Sequence, residues 1–166
     1  MRSKTLLAMV MFGSLTLGGC FGCSPKPLFP RDVCLKASPR LQWYEERAHS
    51  LYVRVYPLKS TDGFISASVS DLIADPPPAI SGAVGSPQSR MLYPDGTEKL
   101  NVNPPKENDK EVATHLGVVA GYYSPKGKTK VVLDGQAMRG DECYAVAFGP
   151  SGIESPDSPA TSGGKQ

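Results

Sequence analysis

The stretch Leu51-Tyr-Val-Arg-Val-Tyr-Pro-Leu-Lys-Ser60 sorts its side chains into two sets. Successive side chains of a β-strand leave opposite faces of the sheet. Leu51, Val53 and Val55 against Tyr52, Arg54 and Tyr56 therefore predict a half-buried strand. Residues 61–75 then change period. Phe64/Ile65, Ser68/Val69 and Leu72/Ile73 recur every four residues, which predicts one short helix with an apolar stripe packed on the sheet. Thr61 or Asp62 is the expected N-cap, because a side-chain oxygen there can accept an orphan backbone N–H. Pro76-Pro-Pro78 is the expected stop. A strand that leads directly into a short helix restricts the chain to folds in which a helix lies on a sheet.

The remaining segments supply the other strands. Val33-Cys-Leu-Lys-Ala-Ser38 alternates and reads as the first strand, and Ser89 to Tyr93, Glu98 to Val102 and Lys128 to Asp134 read as further strands. In Thr114 to Tyr123 both faces are apolar or small, so it is expected to be central, with Gly117 and Gly121 marking close approach of neighbours. Pro94-Asp-Gly96 and Ser124 to Gly127 read as turns. Asn103 to Ala113 reads as a polar loop, and Cys143-Tyr-Ala-Val-Ala-Phe-Gly149 as the last strand. The 17 glycines and 16 prolines are about a fifth of the 166 residues, which suits a turn-rich β domain rather than a disordered chain. The expected fold is mainly β: an antiparallel β-sandwich of about seven to eight strands with one short added helix.

The N-terminus reads as a processing signal. Arg2 and Lys4 form a positive segment, and Leu6 to Leu17 an apolar one too short to span a membrane. The segment closes on Leu17-Gly-Gly-Cys20, which resembles a bacterial lipobox: an aliphatic residue, two small residues, and a cysteine whose thiol takes the lipid. Cys23 is preceded by Cys20-Phe-Gly and lacks the aliphatic residue, so Cys20 is the expected lipidation site. Phe21 after it, rather than Asp, resembles an outer-membrane address. The expected organisation is a signal peptide at 1–19, a lipidated Cys20 and Pro-rich tether at 20–32, a β-sandwich at 33–154, and a disordered tail at 155–166.

Charge and chemistry exclude several functions. The formal net charge of +2 includes Arg2 and Lys4; without them basic and acidic residues balance at 16 each, and no basic patch for nucleic acid is visible. No Gly-x-Ser-x-Gly, His-Glu-x-x-His or phosphate loop occurs, so no enzyme, cofactor or metal is expected. His49 and His115 have no partners at metal spacing. Export implies an oxidising compartment. With Cys20 acylated, Cys23, Cys34 and Cys143 remain. Cys34 and Cys143 open the first and last strands, often neighbours in a sandwich, and form the preferred pair; Cys23 with either one is the alternative. Residues 39–50 form a loop containing Trp43, the only tryptophan, beside Tyr44 and a cluster of charges. Trp43 either serves an interface or folds back over the sandwich edge.

Two segments resemble a known family. Leu51 to Ser60 and the helix after it are similar to the Val-Arg-Val-Tyr-Gln-Leu-Lys strand and following helix of the type VI secretion lipoprotein TssJ (VasD/SciN) family. Leu116-Gly-Val-Val-Ala-Gly-Tyr-Tyr123 resembles that family's Gly-Val-Val-Ala-Ala-Tyr strand. Cys34-Leu-Lys-Ala-Ser38 stands at its first strand. The first loop, Leu41-Gln-Trp-Tyr-Glu-Glu-Arg-Ala-His-Ser50, departs from the family pattern, as does Tyr123, where the family has Arg. The resemblance implies a transthyretin-like sandwich, lipid-anchored at the outer membrane and facing the periplasm. It implies binding to the periplasmic C-terminal domain of a TssM/IcmF-like inner-membrane protein, which fixes an envelope-spanning secretion complex to that membrane. By position, the implied partner-binding loop comprises Gln42, Trp43, Tyr44, Glu45, Glu46, Arg47 and His49. The alternative expectation is a periplasm-facing lipoprotein that holds a small ligand or cell-wall component in its sandwich.

Overall fold

The computed structural model describes residues 31–103, 106–107, 110–111, 113–135 and 143–154. The signal segment, Cys20, Cys23, the tether and the tail lie outside the described residues. The elements run β1 (Arg31–Ala37), β2 (Leu51–Leu58), α1 (Asp62–Ser66), α2 (Val69–Ile73), β3 (Gln88–Leu92), β4 (Thr97–Val102), β5 (Lys106–Glu107), β6 (Lys110–Glu111), β7 (His115–Ala120), β8 (Lys130–Asp134), β9 (Tyr144–Phe148) and β10 (Ile153–Glu154). One four-stranded sheet has the order β10-β9-β1-β4 and the other β3-β2-β7-β8, while β5 and β6 pair as a small hairpin within the loop expected at 103–113. Every pairing is antiparallel except β1 with β9, which run parallel in the register Val33 opposite Tyr144.

The alternation read in the sequence directs one side of each sheet inward. Val33, Leu35, Leu100, Val102, Val146 and Phe148 meet Leu51, Val53, Val55, Leu116, Val118 and Ala120 in the main core. Full burial of side chains of this size contributes roughly 1.5–3 kcal/mol each. Cys34 lies in β1 and Cys143 immediately precedes β9; the two are joined by a disulfide with Cα atoms 5.7 Å apart.

The expectation that β2 is half-buried is corrected. Its outer face is also covered, because the two helices lie across it. Tyr56, Leu58 and Val119 pack there against Phe64 and Leu72 in a second cluster. Gly117 makes this contact possible: a Cβ at that position would stand 2.7 Å from ring carbons of Phe64.

The single helix expected at 61–75 is likewise corrected to two. Ala67 and Ser68 are both extended, with ψ of 146° and 158°. Ser68 leaves the helical path to cap α2, its hydroxyl accepting from the Asp71 amide at 3.1 Å. Lys130 closes α1 from β8, its ammonium donating to the carbonyls of Ile65 (2.8 Å) and Ala67 (2.6 Å). Thr61 occupies the N-cap position of α1 but makes no side-chain cap bond. The break turns Ile65 to solvent and leaves Phe64 and Leu72 as the buried members of the stripe.

Arg54 sits on this outer face of β2 and is only 3% exposed. Its Nη1 donates to the carbonyls of Leu72 (3.1 Å) and Ala74 (2.6 Å) at the end of α2, and its Nε to the Ser89 hydroxyl at 2.9 Å. Nη2 donates to the Tyr52 hydroxyl, which in turn donates to Ser89. Tyr56 also donates to the Leu72 carbonyl. A buried guanidinium is tolerable when its donors are this fully used, and here two of the four acceptors are carbonyls at a helix end.

Candidate protein interface

The loop joining β1 to β2 is held at one end of the sandwich by backbone bonds to the turn between β9 and β10. Gln42 N–H donates to Gly149 O at 3.4 Å and Trp43 N–H to Pro150 O at 2.8 Å. The connection between β7 and β8 meets the same turn: the Lys126 and Gly127 amides donate to Ser151 O at 3.0 and 3.1 Å. Tyr122 secures it from inside. Its hydroxyl reaches Gly149 O at 3.2 Å and Gly152 O at 2.9 Å. Burial, with Glu154 as a lesser cause, raises this phenol far above its ordinary pKa, so it remains a donor. Three chain segments thus form one surface.

Leu41, not Trp43, plugs the sandwich edge: it is fully buried in the main core, while Trp43 remains 40% exposed with the Arg40 guanidinium 4.6 Å from its ring centre. Tyr44 and His49 stack nearly parallel, centroids 3.6 Å apart and planes 8° from parallel. His49 Nε2 lies 3.2 Å from the Tyr44 carbonyl; a carbonyl only accepts, so this nitrogen carries the proton. Gln42, Glu45 and Glu46 take φ of 45°, 49° and 59°. Three left-handed residues among five fold the loop into a tight reversal, closed by the reciprocal bonds of Tyr44 and Arg47 at 3.2 Å. Glu45 and Arg47 pair at 3.6 Å while largely exposed, and such a pair contributes little.

All seven residues of the expected loop are described: the Tyr44 and His49 rings stack, Trp43 stands beside Arg40, and Glu45, Glu46 and Arg47 are exposed. It also brings in one residue the sequence did not assign to this place. Tyr123, 78% exposed after β7, has its ring 5.0 Å from Tyr44. Its only advance signal was an extra aromatic after a central strand. Among the described residues, no three His, Cys, Asp or Glu side chains gather into a metal-binding set, and no helix is long and apolar enough to cross a membrane.

Comparison with solved structures finds the same fold. The type VI secretion lipoprotein TssJ1 from Pseudomonas aeruginosa matches at 22% identity and a TM-score of 0.61, over 77% of this chain and 95% of that one. Serratia marcescens Lip, described as a membrane-bound component of the type VI secretion system, matches at 17% identity and 0.59, over 75% and 95%. A chain of the structure described as the T6SS protein TssM C-terminal domain from EAEC matches at 19% identity and 0.62, over 75% and 95%. Comparison with curated protein sequences finds no match. Residues 32–146 match the family described as type VI secretion lipoprotein, VasD, EvfM, TssJ, VC_A0113. That match spans more than half of the chain, and the protein belongs to the type VI secretion lipoprotein family.

Proposed function

We propose that this lipoprotein is anchored in the outer membrane through acyl chains on Cys20 and binds the periplasmic C-terminal domain of a TssM/IcmF-like protein. In this role it ties the envelope-spanning complex of a type VI secretion system to that membrane. The observation that carries the reading is the ordered aromatic loop at 42–49, exposed at one end of a sandwich of this family. Tryptophan, tyrosine and arginine dominate binding energy at protein interfaces, and the loop presents all three. The likeness to a chain of the structure described as the TssM C-terminal domain supports a partner of that class.

The membrane end rests on Leu17-Gly-Gly-Cys20. Each buried methylene contributes about 0.8 kcal/mol and one acyl chain binds only marginally, so the two or three chains of a mature lipoprotein hold it permanently. Cys20→Ser is expected to abolish incorporation of labelled palmitate and release the protein from membranes; labelling that persists would move the site away from Cys20.

The partner end is tested by co-purification with the periplasmic domain of the TssM-like protein. Wild type is expected to retain the domain, and Trp43→Ala with Tyr44→Ala to lose at least about 30-fold in affinity, as truncating two hot-spot residues does. Full retention by the double variant would remove the loop from the interface. Failure of the wild type to bind would remove this partner.

A further inference from the structure

Tyr123 lies outside the loop on which the proposed function rests, and it is the most exposed large apolar side chain among the described residues. Its position is not loose. The Tyr123 amide donates to Gln42 Oε1 at 3.0 Å, across 81 residues of sequence. The same Gln42 side chain donates through Nε2 to the Ser50 carbonyl, at the far end of the β1–β2 loop. One amide group therefore joins three points: the start of the loop, its end, and Tyr123 in the connection that follows β7. On either side of this link the Tyr44 and Tyr123 rings stand 5.0 Å apart and inclined at 31°, with His49 stacked against Tyr44.

We infer that the docking surface spans two loops, with Tyr123 as a second anchor and Gln42 as the positioning residue that sets Tyr123 beside Tyr44. This inference rests on the partner reading above, and the occupant is the same periplasmic domain. An exposed tyrosine that already adjoins another ring offers a large rigid apolar area at small entropic cost. Bridging bonds that fix both loops before contact spare the partner the ordering of either. The continuity is physical as well as spatial: both loops share the turn at 149–152 through backbone bonds and through Tyr122.

The test uses the full chain purified from membranes in detergent, titrated with the TssM-like periplasmic domain. Tyr123→Ala is expected to weaken binding about tenfold or more with the unfolding midpoint unchanged, because the ring is solvent-exposed. Tyr123→Phe should bind within about threefold of wild type, since the ring and not the hydroxyl makes the surface. Gln42→Ala should slow association while changing dissociation less, and should speed amide exchange at residues 43–49 in the free protein. A purely structural glutamine would lower stability without this split between rates. Wild-type affinity for Tyr123→Ala, with binding lost in the Trp43/Tyr44 double variant, overturns the two-loop surface and leaves the single-loop reading standing. Wild-type affinity in all of these variants overturns both.

Discussion

Removing the Cys34–Cys143 bridge, by Cys34→Ala with Cys143→Ala, is expected to destabilise the domain by about 4–5 kcal/mol, read from denaturant unfolding. The bridge spans 109 residues of sequence, and a cross-link over so long a loop removes many conformations from the unfolded chain. That loss is a large fraction of the roughly 5–15 kcal/mol available to a single domain. It falls where the fold is most dependent on distant sequence. β9 is placed beside β1 by a parallel pairing of five residues, Val33 to Ala37 with Tyr144 to Phe148. Parallel strands cannot be joined by a tight turn and must find each other across a long connection. A loss below about 1 kcal/mol would show that the unfolded chain is already constrained in this region without the bridge.

Arg54→Met is expected to cost about 3 kcal/mol, although methionine fills much of the same space. Replacing a buried ion pair with apolar residues is often neutral, but that precedent does not apply. Among the described residues no carboxylate pairs with Arg54. Its acceptors are two backbone carbonyls and two hydroxyls, and no substitution removes the carbonyls. The Leu72 carbonyl keeps the hydrogen bond from Tyr56, but the Ala74 carbonyl and the Ser89 hydroxyl lose their guanidinium donors. The loss should appear as weaker attachment of α2, with amide exchange at 69–74 accelerating before global unfolding. Equal stability of Arg54→Met and wild type would show that water or rearranged hydroxyls replace these bonds.

The inward faces were legible because their period is local. Leu51, Val53 and Val55 declare a strand within five residues, and Leu116, Val118 and Ala120 do the same. Central placement of β7 followed from its having no polar face. The outer face of β2 was misread because tyrosine and arginine are polar on average, and only the helices laid across it make that face interior. The break between α1 and α2 had a local signal in Ser68 and Asp71, an N-cap with an acidic residue three positions on; the four-residue apolar recurrence running through it concealed the break. β10 is two residues long, below the length at which alternation can be recognised. The residue types of the candidate interface were readable, since aromatic and charged residues in a loop stand out. Its arrangement was not. Leu41 as the plug, and Gln42 bonded to Tyr123, depend on contacts between segments far apart in sequence.

The parallel alignment of β1 with β9 also fixes how the molecule would bear load. The chain enters the described fold at Arg31, and β1 carries it to Ala37, roughly 20 Å farther on at about 3.3 Å per residue. The aromatic loop begins just beyond that end, against the turn that follows β9. A pull between the N-terminal side and the loop therefore travels along a strand that is already extended and has almost no slack to give. Most of the sandwich lies beside this line rather than in it, and the disulfide fastens the start of β9 to it. Tension of this kind would tighten the backbone of one strand instead of unravelling two sheets, and the domain would behave as a tie-rod rather than a spring.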